Sequence, residues 1–272
     1  LIDQLISRGE FLTSYTPYQA EASQGSLQAF FEFQTQIARL TGLDIANASL
    51  YDGATAVAEA ALLATNTTRR KEVLVAETLH PEYLAVLRTV LSDLNITIKI
   101  LEATNGKIDP ITVESNCSEQ TAAVIVQSPN IWGQVEDWEG CFSKAHDTPK
   151  TAAIAVFNPI ASSMLKTPGE CGADIAAGEG QPLGNALNLG GPYLGLLSAK
   201  ESYTRKMPGR LVGMTTDEQG RRVFCLTLQT REQHIRGAKA TSNVCTNQGL
   251  MALRASMFMT TLGSDGLREM AE

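Results

Sequence analysis

CGADIAAGEGQPLGNALNLGGPYLGLLSAK, residues 171–200, is the stretch from which the fold is read. Asp174-Ile175-Ala176-Ala177 is a short apolar run of the kind buried on both faces of a sheet. A glycine-rich loop follows as far as Gly190-Gly191-Pro192, and residues 193–199 make a second strand. No lysine lies between Lys166 and Lys200. Upstream, similar apolar runs recur at 72–76, 96–101, 122–127 and 152–157, with helical segments at 81–92, 109–115 and 137–146 and a turn at Asn105-Gly106. Short apolar strands alternating with helices make βαβ units, hence a mostly parallel sheet covered on both faces. Ligands of such sheets sit at the carboxyl ends of the strands. His80, Pro129-Asn130 and Asn158 all fall there.

Further toward the amino end, the apolar spacing over residues 26–40 predicts an amphipathic helix, with Thr41-Gly42 ending it. Residues 44–50 are a connection or a strand. Tyr51-Asp52-Gly53-Ala54-Thr55 then opens an Ala-rich helix to about Thr65, capped by Asp52 or Ser49. The small residues Gly53 and Ala54 leave the first backbone N–H groups accessible, so this helix start is either a plain cap or an anion site. His80 stands before Pro81 at a strand-to-helix turn, either a polar turn residue or a site residue. Tyr15 and Tyr18 lie in a surface loop and either pack it or line a substrate tunnel or subunit contact. His146 and His234 read as helix-surface residues. Residues 1–8 predict the end of a helix closed by Gly9. After the opening stretch come a helix start at 201–207, a turn into a strand at 208–213, a charged loop at 217–222 and a helix at 228–238. A polar turn at 240–243 leads into a helix from Thr246 to about Leu262. The chain begins at Leu1 inside an apolar-periodic run and stops at Glu272 in another helix-like run, which predicts a piece of a longer polypeptide.

Composition narrows the function classes. Of 272 residues, 43% are hydrophobic and 19% charged, as in a soluble globular protein. The formal charge of −7 argues against nucleic acid or an anionic membrane as the main partner, since both select Lys/Arg-rich surfaces. Five widely spaced cysteines without C-x-x-C and three histidines give a metal site little to draw on, and predict buried thiols of a cytosolic protein. No apolar run approaches the roughly 20 residues that span a bilayer.

Several segments together carry a family resemblance. SYTPYQAEASQGSLQAFFEFQTQIARLTGLDIANASLYDGATAVAEA (14–60), LHPEYLAVLRT (79–89), PGECGADIAAGEGQPLGNALNLGGPYLGLLSA (168–199) and HIRGAKATSNVCTNQGLMALRA (234–255) resemble the P-protein family of the glycine cleavage system, glycine dehydrogenase (decarboxylating), and within it the subunit 1 (alpha) chains of the two-subunit bacterial form. The resemblance implies an α/β, fold type I transferase-like architecture dependent on pyridoxal phosphate (PLP), with a mostly parallel seven-stranded sheet and helices on both faces. It implies an N-terminal helix, loop and helix segment over 1–45, a large α/β domain over 46–240, and at 241–272 the start of a small C-terminal domain. The family's complex decarboxylates glycine and passes the aminomethyl group to the lipoyl arm of H-protein.

A PLP site needs a lysine for the imine, an acid on the pyridine nitrogen and N–H groups for the phosphate. Laid on this chain, Asp52, Gly53, Ala54 and Thr55 resemble the phosphate loop and His80 the ring-stacking position. Asn158 stands where the acid belongs, and Gln181 and Pro182 near the place of the lysine. Neither Gln nor Pro forms an imine, and a neutral Asn cannot stabilise a pyridinium as a carboxylate does. The implied arrangement is a degenerate cytoplasmic alpha subunit with no catalytic residue of its own and no metal. Its homologous beta chain carries the PLP within an α2β2 heterotetramer, and lipoylated H-protein and glycine are the partners. The competing readings are an independent PLP lyase or decarboxylase using Lys166, and a non-catalytic binding protein of the same fold.

Overall fold

The computed structural model describes residues 1–13, 19–245 and 248–272. Two short helices, α1 (Ile2–Ile6) and α2 (Gly9–Leu12), precede α3 (Gln24–Thr41). Gly9, expected to close a helix, begins α2. The loop tyrosines Tyr15 and Tyr18 lie outside the described residues. The helix α3 ends where Gly42 turns left-handed at φ 67°, a conformation glycine adopts without a Cβ penalty.

Strands β1 (Ile45–Ala46), β2 (Glu72–Ala76), β3 (Thr97–Leu101), β4 (Thr121–Ser128), β5 (Ala152–Phe157), β6 (Ile175–Glu179) and β7 (Gly195–Ala199) form one sheet in the order β1-β7-β6-β5-β4-β2-β3. The pairings β2–β3, β2–β4, β4–β5 and β5–β6 are parallel, and β7 runs antiparallel to both β6 and β1. The crossovers are α4 (Gly53–Thr68), α5 (Pro81–Leu91), α6 (Pro110–Asn116) and α7 (Trp138–His146). This is the expected seven-stranded, mostly parallel α/β architecture.

Alternate residues of a strand face opposite ways, and here both faces are apolar. Leu74, Val124, Val126 and Phe157 meet Phe33 and Ile37 of α3 and Phe142 of α7. Val73, Val75, Ile125 and Ile154 meet Leu63 of α4 and Leu87 and Leu91 of α5. Because α4 is buried along most of its length, alanine dominates it: Ala56, Ala58, Ala60, Ala61 and Ala64 let it lie close against the sheet.

A separate hairpin, β8 (Leu211–Thr216) with β9 (Arg222–Thr227), is tied to α3 by two glutamines that act as extra strand rungs. Gln34 donates from Nε2 to Val212 O at 3.1 Å and accepts from Val212 N at 2.9 Å, while Gln24 does the same for Phe224 at 2.8 and 2.9 Å. Gln34 is buried, so Gln34→Ala orphans a buried N–H and C=O and is expected to cost roughly 2 kcal/mol in urea unfolding.

The downstream expectations hold less well. Residues 201–206 form a 3-10 helix. The helix predicted over 228–238 breaks into a 3-10 turn at Gln229–Arg231, α8 (Gln233–Arg236) and a further turn at Gly237–Lys239, with Leu228 (φ 54°) and Gly237 (φ 55°) left-handed at its breaks. The expected helix start at Thr246 lies outside the described residues. Beyond it, α9 (Gly249–Ala271) runs past Leu262 through a non-helical Gly263, and its Ala252, Ala255 and Met259 join the core beside α3. Among the described residues no helix is long and apolar enough to cross a membrane. Cys141 and Cys171 are buried, and Cys117, Cys225 and Cys245 half-buried.

At the amino end of the parallel strands sits an ion cluster. His146, expected as a plain surface residue of α7, places Nε2 2.8 Å from Asp174 Oδ2, while Lys200 Nζ is 2.6 Å from Oδ1 and Ala153 N donates to Oδ2 at 2.8 Å. Burial works against the Asp174 charge. The hydrogen bonds from His146, Ala153 N–H and Lys200 outweigh it and hold the carboxyl below its ordinary range.

Candidate functional site

At the other end of the sheet the carboxyl ends of β4, β5 and β6 open into a cleft of 270 Å³, walled by Tyr83, Gln127, Asn130, Phe157, Asn158 and Glu179. The start of α4 borders it. Asp52 caps that helix, its Oδ1 accepting from Thr55 N at 2.7 Å, as the sequence suggests. Gly53 N donates elsewhere, to Glu179 Oε2 at 2.8 Å. The other carboxylate oxygen of Glu179 accepts from Gln181 N at 2.8 Å and Leu194 N at 3.2 Å. One side chain thus gathers N–H groups from a helix start, a loop and the approach to a strand. Burial raises the Glu179 carboxyl, its three N–H bonds pull it back and the Asp52 charge raises it again, leaving it above its ordinary value.

Gly53 is the residue that allows this contact. A Cβ there would stand 2.9 Å from Glu179 N and press on the Tyr83 hydroxyl. The Tyr83 phenol is pushed up by burial, and further by Glu179 and Asp52.

The remaining predicted residues are likewise engaged locally. His80 Nδ1 accepts from Glu82 N at 3.2 Å, capping α5 ahead of Pro81. His80 N donates to Gln127 Oε1 at 2.8 Å, and the ring packs on Tyr83 with centroids 5.2 Å apart. Asn158 Oδ1 accepts from Ile160 N at 2.9 Å and Ala161 N at 3.1 Å, closing the turn after β5. Gln181 Nε2 donates to Asn185 O at 2.6 Å. Asn158 and Pro182 line the cleft, Asp52 and Gly53 meet it through Glu179, and His80 reaches it only by way of Tyr83 and Gln127. Ala54 and Thr55 complete the first turn of α4.

Glu179 is the residue that sequence reasoning missed. Its signal is a lone acid at the end of an otherwise apolar strand, Ile175-Ala176-Ala177-Gly178-Glu179.

The donor set at α4 bears on phosphate binding. Two carboxylates, Asp52 and Glu179, already hold N–H groups of its first turn, and a phosphate placed there would face both at close range, a repulsive arrangement. The two lysines flanking the loop are engaged elsewhere. Lys166 Nζ lies 2.8 Å from Glu139 Oε2, and that hydrogen bond raises its amine above the ordinary value, away from the neutral form an imine requires. Lys200 belongs to the ion cluster at the opposite end of the sheet.

Further along α4, Glu59 is buried and accepts from Ser242 Oγ at 2.8 Å. Burial lifts its carboxyl from 4.5 to about 7, the Ser242 bond opposing the shift. A raised acid binds its proton more tightly in the folded state. Its contribution to stability is therefore full below pH 4.5 and lost as pH rises through 7. Glu59→Gln is expected to flatten the decline between those values and to be more stable than the parent at pH 8 by roughly 3 kcal/mol in urea titrations.

The family model of the glycine cleavage system P-protein matches residues 1–272. A probable glycine dehydrogenase (decarboxylating) subunit 1 of Desulfitobacterium hafniense is 52% identical over 270 residues, covering 99% of this chain and 60% of the relative. The protein of the same name from Prosthecochloris aestuarii is 53% identical, covering 98% and 60%. The chain thus spans about 60% of the length of these relatives. A crystal structure of glycine decarboxylase (P-protein) of the glycine cleavage system, in inhibitor-bound form, superposes with a TM-score of 0.94 at 50% identity, over 98% of this chain and 60% of that one. Sphingosine-1-phosphate lyase of Burkholderia pseudomallei, at 12% identity and a TM-score of 0.68 over 99% of this chain and 63% of its own, shares the fold alone. The architecture is that of the fold type I PLP-dependent proteins, and the chain belongs to the glycine cleavage system P-protein family.

Proposed function

We propose that this chain is part of the alpha subunit of a cytoplasmic glycine dehydrogenase (aminomethyl-transferring, decarboxylating). In this reading a homologous beta subunit carries the PLP. Two chains of each kind form the working tetramer, which decarboxylates glycine and hands the aminomethyl group to the lipoyl arm of lipoylated H-protein. The observation that carries the proposal is the engagement of Glu179 at the start of α4. The residues here do not fit PLP: carboxylates hold the phosphate cradle, an amide stands in the acid's place, and no lysine lies in the loop. No chemical step is therefore assigned to this chain. Asp52, Gly53, Ala54, Thr55, His80 and Asn158 are the degenerate remnants of a cofactor pocket, and they now shape the frame that meets the beta subunit. Segments 1–45, 46–240 and 241–272 are its N-terminal segment, its large domain and the start of its small domain. The subunit 1 naming of the relatives supports a partner subunit.

The test is reconstitution. The full-length chain purified alone is expected to show no pyridoxal absorbance and no glycine-dependent carbon dioxide exchange, and to gain both on co-purification with its homologous beta chain. Exchange by the chain alone, or no gain on adding the partner, would refute the assignment.

A further inference from the structure

Glu59 of α4 is only 7% exposed, and the group bonded to its carboxyl is the hydroxyl of Ser242, 183 residues later in the chain. Ser242 opens a strap, residues 242–245, that lies against α4. Val244 N donates to Ser242 Oγ at 3.0 Å, and Cys245 N donates to the Tyr51 hydroxyl, just ahead of α4, at 2.8 Å. Val244 packs on the apolar cluster that contains α4. On its other side the strap walls a cavity of 190 Å³, completed by residues 208–210 and 231–234. Glu59 is not among the walls of that cavity, so Ser242 stands between the carboxyl and the space.

The carboxyl has no cation to hold its charge. Burial raises it, and the Ser242 bond alone opposes the shift. Apart from Tyr51 and Cys245, the titratable groups on the surrounding elements are engaged elsewhere. Tyr83 and Glu179 face the cleft with Asp52, the Tyr203 phenol feels Asp174, and Lys206 Nζ donates to Asn66 O at 2.9 Å. Across the cavity Glu232 pairs with Arg210 and His234, and Arg231 donates to Met207 O. Glu82 and Arg88 of α5 and Glu201 and Arg205 of the following 3-10 helix are exposed. A neutral acid with one hydrogen bond is compatible with such a place, whereas a carboxylate without a counter-charge is not. Lifting the strap is the movement that brings water to it.

We propose that the strap 242–245 is a proton-controlled latch, closed on α4 while Glu59 is neutral and lifted, opening the cavity toward α4, when Glu59 ionises. The latch is built into the fold of this chain and does not rest on the role in glycine cleavage. Its sign follows from linkage. Glu59 titrates at its ordinary 4.5 when uncovered and at about 7 when covered, so opening grows by up to about tenfold per pH unit between those values and levels off above them. The experiment is amide hydrogen exchange of the full-length chain, read residue by residue by NMR at about pH 5 and about pH 8 and corrected for the intrinsic rate. The Val244 and Cys245 amides are expected to lose about tenfold or more in protection between the two, while Val124 in β4 keeps its own. Glu59→Gln stays neutral and still accepts from Ser242, so both amides are expected to hold within about twofold. Ser242→Ala removes the latch without touching α4, and its Cys245 amide is expected to show already at the lower pH the weak protection of the parent at the higher one. Unchanged protection in the parent would overturn the proposal, as would an equal loss in Glu59→Gln, a loss at Val124 as large as in the strap, or a Ser242→Ala variant protected like the parent.

Discussion

Glu179→Ala is expected to lower the unfolding free energy by roughly 4 kcal/mol in urea, because it withdraws the acceptor of three N–H groups at once, and each buried orphan costs about 1–3 kcal/mol. The cleft is open on one side, so water recovers part of that loss, which is why the estimate sits below the sum of three full penalties. Glu179→Gln retains one oxygen acceptor and relieves the repulsion from Asp52, so about half the loss is expected. Hydrogen exchange locates the effect. In the alanine variant the amides of Gly53, Gln181 and Leu194 are expected to exchange much faster, while Val124 in the middle of β4 keeps its protection. Unchanged protection at those three amides would show that Glu179 does not hold the cradle.

The second large effect lies at the opposite end of the sheet. Asp174→Ala leaves Lys200, His146 and Ala153 N without their common acceptor, and removing one member of such a cluster is expected to cost roughly 4 kcal/mol. Lys200 and His146 are partly exposed and recover some hydration, so the figure is kept inside the range for buried pairs rather than above it. The pH dependence has a definite sign. Asp174 titrates below its ordinary value of 3.8 in the folded state, so its contribution is complete above that value and is lost as pH falls through the folded one. Acid titrations of the parent and of Asp174→Asn should diverge above pH 3.8 and converge below it. Parallel curves throughout would count against the cluster.

Where apolar pattern and chain neighbourhood decide structure, the sequence is informative. The runs at 72–76 and 152–157 coincide with β2 and β5, since strands buried on both faces read as unbroken apolar segments. Asp52 caps α4, and Gly42 ends α3, through contacts a few residues long. Structure set by distant partners is not legible in that way. Glu179 takes its role from Gly53, 126 residues earlier, and from Leu194, 15 later. The strand β9 is set by distant partners on α3: Phe224 packs on Phe31, and Gln24, 200 residues away, supplies its outer rung. Asp174 gives no local hint that His146 and Lys200 converge on it. The family resemblance implies a missing lysine and acid; the structure adds that two carboxylates of the chain itself, Glu179 and Asp52, hold N–H groups at the start of α4.

Covalent trapping tests most directly whether this chain supplies a lysine to PLP. The full-length chain, incubated alone with excess PLP, reduced with borohydride and analysed by peptide mass spectrometry, is expected to carry no stoichiometric pyridoxyl-lysine. Under the proposed function, the homologous beta chain given the same treatment is expected to carry one per chain. A stoichiometric adduct on the isolated chain, at Lys166, Lys200 or any other lysine, would contradict the account.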